Sequence, residues 1–201
     1  MTAINLKINE SQLADVNRML MGMQSAIPKV IQQAVNRTLT GVRTDATNEV
    51  ANVITPTKTA IRKTMTVKNM TQASGNAYVR CTGAPLNLIE FKAKQTQKGV
   101  TVQVLKSGSR KLLKHGFIAT MKSGKKLVIW RNYPGPRKPW DKQMPYGKLP
   151  PKYRLPVKGL TSLAIPEVMG HPPTMDKIME LGGDRLEKNL NDRLKYEVSK
   201  L

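Results

Sequence analysis

Catalysis by side chains needs a nucleophile beside its base, a pair of carboxylates at working distance, or a metal cage, and the residues that supply these are sparse here. The histidines are His115 and His171, the one cysteine is Cys81, and between residues 58 and 158 the carboxylates reduce to Glu90 and Asp141. No Cys/His cluster has zinc spacing, and two isolated carboxylates are too few to hold magnesium for phosphate chemistry. His115 stands among Lys111, Lys114 and Phe117 and reads as a surface or strand-edge histidine. Cys81 falls on the apolar phase of a strand and reads as a buried small hydrophobe. The segment KSGSRK at 106–111 mixes glycine, serine and cations as phosphate-cradling loops do, but it lacks P-loop spacing and a following helix, which leaves a basic hairpin turn. The expectation is therefore a protein with no catalytic residue, no cofactor, no metal and no small-molecule substrate.

What the chain does have is cations. Lysine and arginine number 34 against 13 aspartates and glutamates, a formal charge of +21, so a polyanion or an acidic protein surface is the expected partner. The excess is localised: residues 1–57 carry net +1, residues 58–158 net +21 and residues 159–201 net −1. A basic middle between balanced ends predicts one working surface. Two groups of residues are the candidates. Arg110, Lys111, Lys114, Lys125 and Lys126 lie in the β region and are expected to meet DNA or an acidic partner. Arg137, Lys138, Trp140, Lys142 and Tyr146 lie in a proline-rich stretch, where aromatics among the cations make good protein anchors, so this arm is expected to dock a neighbouring protein. Base stacking is the alternative use of such an arm. Sequence-specific DNA binding is disfavoured, because no helix carries a dense basic recognition face.

The elements that must position these residues are legible in outline. Asn9 and Gln12 resemble a capping box, and Leu13, Val16, Leu20 and Met23 follow at helical spacing, with a break near Gly22 and a restart at Ser25-Ala26-Ile27-Pro28. From there Ile31, Ala34, Val35, Leu39, Val42, Ala46, Val50 and Val53 form one stripe, predicting a helix over about 26–53. At 1.5 Å per residue it spans about 40 Å, long enough for part of the stripe to serve a neighbouring subunit. Alternation at Val79 and Cys81, at Val100, Val102 and Val104, over Phe117–Met121 and over Leu127–Trp130 predicts strands, as does the apolar run Leu86–Phe91. Turns fall at Gly75-Asn76, Gly83-Ala84-Pro85, Ser107-Gly108-Ser109 and Ser123-Gly124, as in an antiparallel meander. Seven prolines between 132 and 156 imply an extended arm. Pro172-Pro173-Thr174 then opens a last helix, with Thr174 as cap and Ile178, Gly182, Leu186, Leu190, Leu194 and Val198 on one face; Gly182-Gly183 predicts a kink or a close approach by another backbone.

Together these predict an α+β fold: the long helix and the C-terminal helix packed on an antiparallel sheet from about 64 to 131, with Val35, Leu39, Val42, Phe91, Val102 and Phe117 buried. A length of 201 residues suits one domain, divided as 1–57 helical, 58–131 basic β region, 132–158 arm and 159–201 C-terminal helix. No signal-peptide pattern and no membrane-length apolar run is visible, and a single cysteine suits a reducing compartment.

Several stretches, in this order, resemble the minor tail protein Z group of lambda-like phages. They are residues 34–46 (AVNRTLTGVRTDA), Pro85–Phe91, Gly116–Gly124, Arg154–Val157, Ile165–Met169 and Arg185–Leu190. The arm at about 132–152 is longer than the family's usual link. The resemblance implies a structural protein of a tailed-phage virion that completes the head-proximal end of the tail and joins it to the head. It further implies a homo-oligomeric ring, six copies by analogy with tail symmetry, assembled in the host cytoplasm. Its neighbours would be tail terminator, tail tube or head connector proteins, with channel DNA as a further contact. It brings no reaction. The runner-up is a non-specific DNA-binding protein acting outside the virion; a nuclease comes third, opposed by the missing carboxylates.

Overall fold

A computed structural model describes residues 2–5, 10, 13, 14, 27–71, 74–131 and 157–200. Apart from Leu13, the stripe expected for the first helix (Val16, Leu20, Met23) and its break at Gly22 and Ser25 lie outside the described residues, as does the arm from 132 to 156. The chain divides into two compact units: residues 1–53, 57–84 and 164–201 in the first, and 54–56 with 85–163 in the second. The division falls at the predicted turn Gly83-Ala84-Pro85.

The first unit is organised by helix α1 (Ile27–Val53), which matches the predicted helix to within one residue. Pro28 sits in its first turn, where a missing N–H breaks no bond. Val30, Ile31, Ala34, Val35, Leu39, Val42, Ala46 and Val50 are buried along one face. Thr38 and Thr47 share that burial because each hydroxyl donates to the carbonyl four residues back, to Ala34 at 2.8 Å and Arg43 at 2.7 Å, so neither leaves a polar group unpaired. Helix α2 (Lys58–Lys63) follows, its first turn capped by the Thr57 hydroxyl accepting from the Ala60 N–H. Strands β1 (Thr2–Asn5), β2 (Met65–Lys68) and β3 (Tyr78–Cys81) form an antiparallel sheet in the order β1-β3-β2. Alternation turns Ile4, Met65, Val79 and Cys81 into the core, with β2 and β3 against α1.

Short helix α3 (Ile165–Met169) leads into α4 (Pro172–Val198). Thr174 is not the cap: the helix begins at Pro172-Pro173 with His171 before it, and Thr174 is buried inside the first turn. Prolines fit first-turn positions, their φ being preset and their missing N–H unneeded, so the helix starts on them and not after them. Helix α4 runs antiparallel along α1. Leu194 packs on Val30 and Ile27, the Asn189 amide donates to the Thr38 hydroxyl at 2.9 Å, Arg185 meets Asp45 and Lys177 meets Glu49. The predicted stripe Ile178, Gly182, Leu186, Leu190 and Leu194 is buried, but Val198 is 42% exposed. Leu194 already packs on Ile27, the first residue of α1, so Val198, one turn further on, has no α1 residue opposite it. Gly182-Gly183 does not break the helix, which is continuous through both.

The second unit holds two further sheets. Strands β4 (Lys94–Thr96), β5 (Gly99–Val102) and β6 (Lys111–Lys114) form one, and β7 (Phe117–Thr120), β8 (Lys126–Arg131) and β9 (Val157–Gly159) the other; both are antiparallel. The fold class is α+β as predicted, with the expected meander distributed over three sheets. Leu88, Phe91, Val100, Val102 and Val128 form the core of this unit, ringed by Leu86, Val104, Leu113, Ile118 and Leu160. The run Leu86–Phe91 is not a strand. Asn87 makes one isolated bridge with Thr161, and Leu88–Glu90 then form a 3-10 turn. Asn87 causes the switch: its side-chain oxygen accepts from Ile89 N–H at 3.1 Å and Val128 N–H at 2.9 Å, while its amide donates to the Val128 carbonyl at 3.2 Å. An asparagine that bonds its own backbone two residues on closes a turn where apolarity alone suggests a strand. Of the six predicted core residues five are buried, and Phe117 is half-buried with the Arg131 guanidinium 5.4 Å from its ring centre.

Candidate interaction surface

Among its described residues the second unit carries twelve lysines and arginines against the single carboxylate of Glu90. Strand parity decides where they go. In the β4-β5-β6 sheet, Val100 and Val102 face the core with Leu113 opposite Val100. The outer face therefore shows Lys94, Thr101 and Leu112 in one row across the strands and Thr96, Gly99 and Lys114 in the next. Gly99 has φ +143, and a Cβ there would stand 2.2 Å from the Leu113 carbonyl oxygen, so only glycine lets β6 pair closely enough to set Lys114 in its row.

The candidate residues do not all share that face. Lys114 lies on it, together with Lys94, which the sequence reading did not single out. Lys111 projects from the other side of β6 at its exposed end. Arg110 precedes β6, its guanidinium donating to the Lys92 carbonyl, which holds two more cations side by side. Lys125 and Lys126 belong to a different hairpin, between β7 and β8, closed by Met121 N–H to the Lys125 carbonyl at 2.9 Å and by Gly124 at φ +77. All five are exposed. Lysines on β6 also serve the fold itself, since β6 is an edge strand and charge on an edge resists unwanted strand pairing. Lys94 was findable: Gln97-Lys98 form a two-residue turn between Thr96 and Gly99, and once that hairpin is drawn Lys94 falls on the solvent phase. The arm residues Arg137, Lys138, Trp140, Lys142 and Tyr146 lie outside the described residues.

Of the groups that could do chemistry, the cysteine is buried and both histidines are exposed. Cys81 is fully buried with the Thr64 hydroxyl 3.4 Å from its sulfur, and burial pushes its thiol pKa up, away from the nucleophilic thiolate. His115 is exposed at the turn after β6 with φ +64, and His171 is exposed before α4. Among the described residues no group of three His, Cys, Asp or Glu side chains could hold a metal, and no helix is long and apolar enough to cross a membrane. A groove of about 460 Å³ on the first unit is lined by Gln32, Gln33, Asn36, Arg37 and Arg193, amides and guanidinium groups without a nucleophile or a carboxylate.

Charge on α4 has the opposite sense. Two of its cations turn inward to α1: Arg185 makes two 2.9 Å bonds to Asp45, and Lys177 stands 3.1 Å from Glu49. Its outward carboxylates Asp176, Glu180, Asp184 and Glu187 are exposed and follow one another at helical spacing. The arrangement as a whole can bind by charge and by apolar contact.

Compared with known proteins, residues 13–200 match the family model described as prophage minor tail protein Z (GPZ). No curated protein and no solved structure matches.

Proposed function

This chain belongs to the prophage minor tail protein Z family, and on that premise we propose that it is a structural subunit that completes the head-proximal end of a phage tail and joins the tail to the head. A minor tail protein is a tail component of the virion, and the match over 13–200 takes in both compact units, so the whole chain supports that role. The finer reading has the chain acting as a homo-oligomeric ring, six copies by analogy with tail symmetry, assembled in the host cytoplasm and seated between the tail tube or terminator and the head connector. One observation carries the partner chemistry: a unit with twelve cations and one carboxylate among its described residues attracts DNA in the channel or acidic surfaces of the neighbouring proteins.

The test is morphogenetic. Phage lacking the chain should accumulate full heads and tails of normal length that do not join, and the purified chain added to such a lysate should restore infectious particles. Joined, infectious particles made without it would refute the head-joining role. A DNA-binding protein acting outside the virion is the competing reading, favoured by the same cations; it requires the chain to be absent from purified particles.

A further inference from the structure

The solvent face of α4 has no partner among the described residues, yet it is built as a contact. Asp176, Glu180 and Asp184 recur every four residues, so like charges stack along one side of the helix, an arrangement that weakens an isolated helix. Two of the cations beside them, Lys177 and Arg185, are taken up by Glu49 and Asp45 of α1, which leaves Lys188, one turn beyond Asp184, as the cation that ends the row. Beside the carboxylates Met179 is 42% exposed, and between them Gly183 sits where a Cβ would meet nothing within 4 Å. Among the described residues nothing explains a glycine there, since alanine would fit and would hold the helix better; a second molecule lying close to the backbone does explain it.

From this we infer that the solvent face of α4 docks on the outer face of the β4-β5-β6 sheet of a second copy of this chain, head to tail. The inference rests on the ring reading above and names the surfaces that would build it. Charge complementarity selects the occupant, for the second unit is the strongly cationic surface that every copy carries. Dimensions agree. Lys94 and Lys114 stand two strands and two residues apart, about 12 Å at strand spacings of ~4.8 Å and ~3.4 Å per residue. Asp176 and Asp184 are eight residues apart on a helix, also about 12 Å at 1.5 Å per residue. On the same face Leu112, in the row of Lys94 and two residues from Lys114 on β6, is 41% exposed and offers an apolar seat beside the lysines for Gly183 and Met179. An exposed leucine gains nothing from a phosphate backbone but packs well against a helix, which favours protein over DNA on this face. Because the two surfaces differ, the contact is heterologous, which closes a ring where its rotation divides a full turn and otherwise extends a filament.

The experiment reverses each surface and then mixes the products. D176K/E180K/D184K and K94E/K114E change exposed side chains only, and far-UV circular dichroism with a denaturation curve checks that each variant folds. If either does not, D176N/E180Q/D184N and K94Q/K114Q replace them. By sedimentation at low salt the wild type should be oligomeric and should dissociate as salt rises; each reversed variant should sediment as a monomer; an equimolar mixture of the two should recover the oligomer. A wild type that is monomeric at every salt concentration, variants that keep the wild-type mass, or a mixture of reversed variants that stays monomeric would each overturn the contact. Loss of duplex-DNA retention by K94E/K114E at unchanged mass would also overturn it, giving the face to DNA. The tail role is judged separately by head joining, so variants that keep their mass while the deletion blocks joining would sink the contact and leave that role standing.

Discussion

Gly41 lies on α1 directly beneath the side chain that ties α1 to α4, and its replacement by alanine should change sign with the background. A Cβ at position 41 would stand 2.2 Å from the Arg185 Cδ and 2.5 Å from its Nε, so the arginine must swing away. That breaks both 2.9 Å bonds to Asp45, whose side chain is only 14% exposed and keeps its charge without a partner. The Arg185 side chain is 44% exposed, so solvent screens the pair and the bridge itself is worth about 1 kcal/mol at most. Stranding a mostly buried carboxylate adds about 1 kcal/mol. Against this, alanine in a helix interior gains about 1 kcal/mol over glycine. Gly41→Ala should therefore be neutral to about 1 kcal/mol destabilising in the wild type. In an Arg185→Ala background the obstruction and the bridge are both gone, and the same change should stabilise by about 1 kcal/mol. Urea unfolding of the four proteins, followed by far-UV circular dichroism, measures the coupling. Equal effects of Gly41→Ala in both backgrounds would show that the arginine does not cross α1 at this point.

Other outcomes follow from the same packing and charge. Leu39→Ala removes a fully buried side chain from the middle of α1 and should cost about 2–5 kcal/mol, read as a lower urea midpoint. Burial raises the Cys81 thiol pKa above its unfolded value, so the protonated form is favoured by the fold; that stability is present below the unfolded pKa and is lost as alkaline pH rises through the folded one. A thiol reagent at pH 8 should accordingly label native Cys81 far more slowly than urea-unfolded chain, and equal rates would contradict its placement. If Lys111, Lys125 and Lys126, which lie off the face that carries Lys94 and Lys114, each meet a DNA phosphate, neutralising these three should lower the log–log salt slope of duplex binding by about 2.7, at about 0.9 counterion per contact. Neutralising Arg137, Lys138 and Lys142 should leave that slope alone and impair docking to the neighbouring tail protein, measured by pull-down; the reverse pattern would exchange the two roles.

Local periodicity made α1 legible, because eight apolar positions over seven turns admit no other regular structure. Where a single side chain outvotes the pattern, the sequence misleads. The apolar run Leu86–Phe91 carries its own contradiction at Asn87, whose side chain bonds Ile89 and Val128 and turns the backbone out of the strand. The start of α4 was misplaced for a related reason: prolines read as a boundary are in fact the first turn. Division into three sheets was out of reach, since β3 chooses β1 from the far N-terminus as one neighbour and the nearby β2 as the other, a choice no local pattern encodes. Of the candidate surface, the cations were countable but their faces were not. Lys111 and Lys114 sit three residues apart on one strand and so point to opposite sides, while Lys94, distant in sequence, joins Lys114 through β5.

The segregation of charge bears on how copies with a net charge of +21 can meet at all. At physiological ionic strength the screening length is about 8 Å, so repulsion between whole molecules decays within a side chain or two of their surfaces, whereas carboxylate and ammonium groups brought to within ~4 Å still feel each other. What governs association is then the local match and not the total. On α4 the inward salt bridges to Asp45 and Glu49 remove cations from the face that carries Asp176, Glu180 and Asp184; in the second unit the near absence of carboxylates removes the opposing anions. Each internal pairing of the first unit thus sharpens the charge of its outer surface. It follows that releasing an inward cation, as in Asp45→Asn, should blunt the salt dependence of self-association as well as lower stability, because Arg185 is then free to pair with the carboxylates beside it, Asp184 among them; an unchanged salt dependence would refute the link.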